Sequence, residues 1–108
     1  MVYSVETIQS IIKPIAQKYG LPAVFLFGSY ARGTATENSD IDLLIDTSGT
    51  DIKSLIQLGT LYCELEEAFQ KRIDLITVRS LEQKDVSSHS TRFRETINQE
   101  RMPIYVAA

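Results

Sequence analysis

The sequence predicts an α/β (α+β) domain in which a small mixed sheet carries helices packed mainly on one face. Two observations predict it. Residues 5–19 and 52–69 place apolar side chains at steps of three and four, the period of one helix face. Residues 23–27, 40–46 and 72–78 are short apolar runs bounded by Gly, Pro or charged residues, which is how a buried strand reads. The order is helix, strand, loop, strand, helix, strand, helix. A length of 108 residues suits one compact domain over residues 1–108.

Each element has its own local signals. Ser4 stands ahead of Val5, Ile8, Ile11, Ile12, Ile15, Ala16 and Tyr19 as the cap of the first helix. Pro14 falls inside that run and is expected to bend it. Gly20 and Pro22 end it. AVFLF follows as the first strand. Residues 28–39 are rich in Gly, Ser, Thr and Asn and read as a loop with one helical turn. DIDLLID is the second strand. Asp51 is the expected cap of the second helix, which Gly59 weakens by up to about 1 kcal/mol. RIDLITV is the third strand. Ser80 is placed to cap a short turn. Residues 91–101 form a third, weaker helix carrying Ile97, and PIYV at 103–106 reads as a short apolar tail.

Composition narrows the chemistry. Eleven Lys and Arg against 14 Asp and Glu give a charge of −3, and the pI is about 5.1. That balance argues against duplex DNA as a standing partner, and no basic aromatic stripe suits single strands, so no direct nucleic-acid contact is expected. No window approaches the roughly 18 apolar residues of a membrane span, and the first residues lack a basic-then-apolar leader. A cytoplasmic protein without membrane contact is the expectation. One His and one Cys cannot supply the roughly four ligands of a structural zinc site. Cys63 lies in an apolar stretch and reads as a small core residue. His89, among Ser87, Ser88 and Ser90, reads as a surface residue rather than the base of a Ser-His-Asp machine.

Three features carry chemistry. Gly28-Ser29 directly follows the first strand, where Gly lets backbone approach a phosphate and Ser29 opens a helical turn. Alone, this is more often a simple turn. Asp40 and Asp42 are two residues apart in an expected strand and so project from one face. At about 5 Å and an effective dielectric of about 20 they repel by about 3 kcal/mol. Hard oxygen ligands of this kind select Mg²⁺ or Mn²⁺. Asp74 sits between Ile73 and Leu75, where an unpaired carboxylate is costly to bury. If the third strand pairs with the second, Asp74 joins the other two, and three carboxylates can hold two divalent ions for displacement at phosphorus. The alternative for Asp74 is a strand-end charge paired with Arg72. The spacing is GSx₁₀DxD, which four fixed positions meet by chance in roughly one chain of this length in a thousand.

The run from Gly28 to Ile45 resembles the active-site signature of the minimal nucleotidyltransferases of the DNA polymerase beta-like superfamily. The resemblance implies that Gly28 and Ser29 bind the β- and γ-phosphates of an NTP. It implies that Asp40 and Asp42 hold Mg²⁺ and that Asp74 completes the metal site and helps activate the attacking hydroxyl. Two Mg²⁺ ions, with Mn²⁺ as a substitute, and ATP as substrate follow from it. Arg32, in the same loop, is a phosphate contact or a structural ion pair with Glu37 or Asp40. Small chains of this family are antitoxins of HEPN-domain toxins, so the resemblance implies AMP transfer from ATP to a tyrosine hydroxyl of such a toxin. Two other readings stand beside it: neutralisation by occlusive binding without catalysis, and nucleotidyl transfer to a small molecule or an RNA.

Overall fold

The fold is taken from a computed structural model, which describes residues 2–82 and 91–107. His89 lies outside the described residues. Helix α1 (Val5–Tyr19) begins at Ser4, whose Oγ accepts the Thr7 amide, and ends at Gly20 in the left-handed region (φ 67°). It runs on through Pro14. Pro14 and Ser10 are both exposed, so the Ser10 carbonyl that loses its helical donor faces water. Strand β1 (Ala23–Phe27) leads directly into the short helix α2 (Gly28–Arg32), the single turn expected in the loop. Strand β2 (Ile41–Asp46), helix α3 (Leu55–Phe69) and strand β3 (Ile73–Thr77) follow. Next come α4 (Val78–Glu82), α5 (Thr91–Glu100) and β4 (Met102–Val106).

Strand order is β3-β2-β1-β4. β1 is antiparallel to both β2 and β4, while β2 and β3 are parallel. The sheet is therefore mixed, as expected. The helix α3 supplies the crossover that a parallel pair requires. Odd-numbered residues Ile41, Leu43 and Ile45 of β2 enter the larger core with Ile8, Ile12, Leu61, Leu65 and Phe69 of α1 and α3. Leu44 and Ile76 point the other way, into a smaller cluster with Phe27, Leu81 and Ile97. The two long helices thus cover one face, and α4 with α5 cover part of the other. Lys18 and Tyr19 tie α1 to α3 through Glu64, at 3.0 and 2.8 Å.

Four local expectations change. The cap of α3 is Ser54, not Asp51: Ser54 Oγ accepts the Gln57 amide while Gln57 Oε1 accepts the Ser54 amide. This reciprocal S-x-x-Q box satisfies two helix-end donors, which Asp51, three residues upstream, does not reach. Cys63 is exposed. The buried positions of α3 are Leu61, Leu65 and Phe69, and Cys63 falls midway between the first two, on the outer side of a 3.6-residue period. The turn at residue 80 is fixed by Thr77, whose Oγ1 accepts the Ser80 amide at 3.0 Å. Residues 103–106 are not a tail but most of β4, an edge strand that tolerates Pro103 because an edge need not donate on its outer side.

No helix among the described residues is long and apolar enough to cross a membrane. Gly59 lies inside α3 with open space where a Cβ would stand. Gly59→Ala is expected to raise stability by about 1 kcal/mol, or roughly 4–8 °C in Tm, measured by thermal unfolding.

Candidate active site

Strand alternation builds the site. Since Ile41 and Leu43 face the larger core, Asp42 between them faces the opposite side. The same logic in β3 turns Asp74 away from Ile73 and Leu75. The parallel register then sets Asp42 directly beside Asp74. On its other flank Asp42 is the register partner of Phe27, the last residue of β1. The chain leaves β1 at Gly28, immediately against the Asp42 side chain.

Gly28 has φ 72°, a conformation L side chains rarely adopt. A Cβ built on it would overlap the Asp42 carboxylate oxygen Oδ2 and lie 2.9 Å from Asp42 Cγ. Glycine is therefore required twice, by backbone angle and by contact. Behind it, Thr34 N donates to Ser29 O at 2.9 Å and closes α2. Thr36 and Ser39 exchange hydrogen bonds across the following turn, and Lys71 Nζ donates to Glu37 O at 2.8 Å. These bonds deliver Asp40 to the mouth of the sheet.

Crowding shows in the electrostatics. The half-buried Asp42 carboxyl is pushed up to about 6, first by burial, then by the charges of Asp74 and Asp40; Arg32 acts weakly in the opposite sense. Asp42 and Asp74 are also linked through a hydrogen bond that favours the protonated form. The convergence expected of three carboxylates is thus partial. Asp42 and Asp74 meet, and Asp40 acts on Asp42 as a like charge. Among the described residues no group of three or more His, Cys, Asp and Glu is assembled to hold a metal ion. Asp40 stands one residue before β2 and is exposed, so the pleat does not fix its direction. The pair Asp42–Asp74 itself fits a hard divalent cation: its donors are carboxylate oxygens, and their mutual repulsion calls for positive charge.

Arg32 has a partner outside its own loop. Its Nη1 binds Glu100 of α5, at 3.1 and 3.3 Å to the two carboxylate oxygens. Glu100 and Lys71 are residues the sequence reading missed. Neither carries a local signal, since their partners lie 68 and 34 residues away. Asp74 is exposed at the end of the site and faces Asp42.

Similarities to known proteins identify the family. The family described as Polymerase beta, Nucleotidyltransferase matches residues 9–101. The Protein adenylyltransferase MntA of Thermococcus cleftensis is 37% identical over 82 residues, covering 72% of this chain and 81% of that protein. A Methanocaldococcus jannaschii protein, provisionally named as a protein adenylyltransferase, is 40% identical over 78 residues, covering 72% of this chain and 82% of its own. Among solved structures, one provisionally described as a minimal nucleotidyltransferase superposes with TM-score 0.68 at 28% identity, covering 94% of this chain and 96% of that one. A toxin–antitoxin structure with AMP-PNP superposes with TM-score 0.69 at 25% identity, covering 92% and 73%. The chain is therefore a nucleotidyltransferase, a member of the polymerase beta nucleotidyltransferase family.

Proposed function

We propose that this protein is an antitoxin that transfers AMP from ATP to a tyrosine hydroxyl of a cognate HEPN-domain toxin and so neutralises it. One observation carries the reading: Asp42 and Asp74 lie side by side on one sheet face, directly against a glycine that leaves no room for a Cβ. Relatives named protein adenylyltransferase support it. So does the fold shared with an MNT antitoxin solved with its tri-AMPylated HEPN toxin.

The residues take these roles. Gly28 lets the backbone approach the triphosphate, and the Ser29 hydroxyl donates to its outer phosphates. Arg32 adds positive charge at the same end. Asp40, Asp42 and Asp74 hold divalent cations, two Mg²⁺ or Mn²⁺. When bound, these supply neutralisation of phosphate charge and a lowered pKa for the acceptor hydroxyl. Asp74, at the exposed end, helps to activate that hydroxyl. As the hydroxyl oxygen bonds to the α-phosphorus, its proton passes to the Asp74 carboxylate, the bond from the α-phosphorus to the oxygen of the β-phosphate breaks, and pyrophosphate departs. Most of the rate comes from positioning and charge.

Co-expression with a cognate HEPN-domain protein, followed by intact mass measurement of that protein, tests the proposal. Additions in steps of one AMP are expected, and they disappear with Asp42→Ala. An unmodified partner beside an active parent chain overturns the reading. If Asp42→Ala protects cells as well as the parent does, neutralisation is by occlusion instead.

A further inference from the structure

The end of the sheet opposite the carboxylates carries a groove that the reaction does not use. Two adjoining hollows, of about 570 and 340 Å³, share Thr47, Ile52, Lys53 and Arg79. They lie where β2 ends at Asp46 and β3 ends at Thr77. Lys53 and Arg79 are both exposed, and neither makes an ion pair among the described residues. The one carboxylate of the lining, Asp46, accepts the Ser48 amide through Oδ1 at 2.9 Å, so the groove sets two cations against one acid on a chain of net charge −3. Leu55 lines the second hollow at 87% exposure, with Ile56 beside it at 82%. No other large hydrophobic among the described residues is so exposed as these two. Adjacent exposed apolar residues rimmed by cations are the composition of an interaction surface rather than of idle surface.

We propose that this groove docks the acceptor protein through an acidic segment carrying apolar side chains. Its carboxylates meet Lys53 and Arg79, and its apolar residues cover Leu55 and Ile56. The inference rests on the proposed protein-AMP transfer. The groove and the Asp42–Asp74 pair sit at opposite ends of β2, four residues or about 13 Å apart along the strand. A folded partner spans that distance along the β3 edge, so docking leaves the nucleotide site open.

Steady-state AMP transfer to the purified HEPN-domain partner tests the groove. The variants are the pairs Lys53→Glu/Arg79→Glu and Leu55→Ser/Ile56→Ser, all at exposed positions. Each pair is expected to raise the acceptor KM at least tenfold. kcat at saturating acceptor and the thermal shift produced by MgATP should stay at parental values. An acceptor KM within twofold of the parent for both pairs overturns the proposal. A rise confined to the apolar pair overturns the acidic partner, and a rise confined to the charge pair overturns the apolar cover. A fall in kcat, or a lost MgATP shift, shows that the groove acts on the nucleotide site and overturns docking. A parent chain that transfers no AMP to this partner instead removes the functional reading, and the docking proposal with it.

Discussion

Asp42→Asn is expected to lower AMP transfer by at least about a hundredfold to a thousandfold while making the protein more stable at pH 7.5. The two effects have one cause. Asp42 is held half-buried between like charges, which raises its pKa from 3.8 to about 6. A group whose native pKa is raised binds more protons in the folded than in the unfolded state between those values. The linkage slope is then negative, and stability present below about pH 3.8 is lost as pH rises through about 6. At pH 7.5 the parent carries the full cost. For a half-exposed side chain, solvent screening leaves this on the order of 1 kcal/mol. Asn keeps the shape without the charge, so its advantage should be present at pH 7.5 and absent near pH 4. Thermal unfolding at the two pH values checks this, and a variant less stable than the parent at pH 7.5 rejects it. Divalent cation binding reverses the sign. Mg²⁺ needs the ionised carboxylate, so its affinity should rise about tenfold per pH unit below 6 and level off above it, measured by titration calorimetry.

The same crowding explains which parts of the molecule can be read from the sequence. Alternation in IDLLID and IDLIT is enough to give strands and to put Asp42 and Asp74 on one face, because two buried odd-numbered positions force the even ones outward. The GSx₁₀DxD spacing likewise picks out Gly28 and Asp42, which the fold brings against each other. Asp40 fails the same logic, since it precedes the ladder and its direction is set by the Thr36–Ser39 turn. β4 escapes detection because its five residues become a strand only by pairing with β1, across a register shift at Val24/Phe25. The Arg32–Glu100 pair is equally non-local: it exists because α5 packs against α2. Cys63 shows the limit of composition, as an apolar neighbourhood in sequence spans both sides of a helix. What repeats within a few residues is legible, and what depends on two distant elements meeting is not.

Gly28→Ala is expected to cost more stability than the same change at Gly33, and to lose most of the activity. Both glycines have left-handed backbone angles, φ 72° and 78°. A non-glycine residue there costs roughly 1–2 kcal/mol in either place. At Gly33 a Cβ meets nothing within 4 Å, so that cost is the whole effect. At Gly28 the Cβ overlaps Asp42 Oδ2, and the carboxylate must leave its place between Gly28 and Asp74 to make room. The extra cost should be about 1 kcal/mol or more, read as the difference between the two variants in urea unfolding. Displacing a reacting group by about 1 Å can cost on the order of a hundredfold in rate, so transfer should fall at least that far in Gly28→Ala and little in Gly33→Ala. The Asp42→Ala background separates contact from backbone. There the nearest atom to the new methyl is Asp42 Cβ at 3.3 Å, which a small shift accommodates. Gly28→Ala should then cost no more than Gly33→Ala, a coupling of about 1 kcal/mol between positions 28 and 42. Equal costs at Gly28 in both backgrounds would place the requirement in the backbone angle alone and detach the glycine from the carboxylate pair.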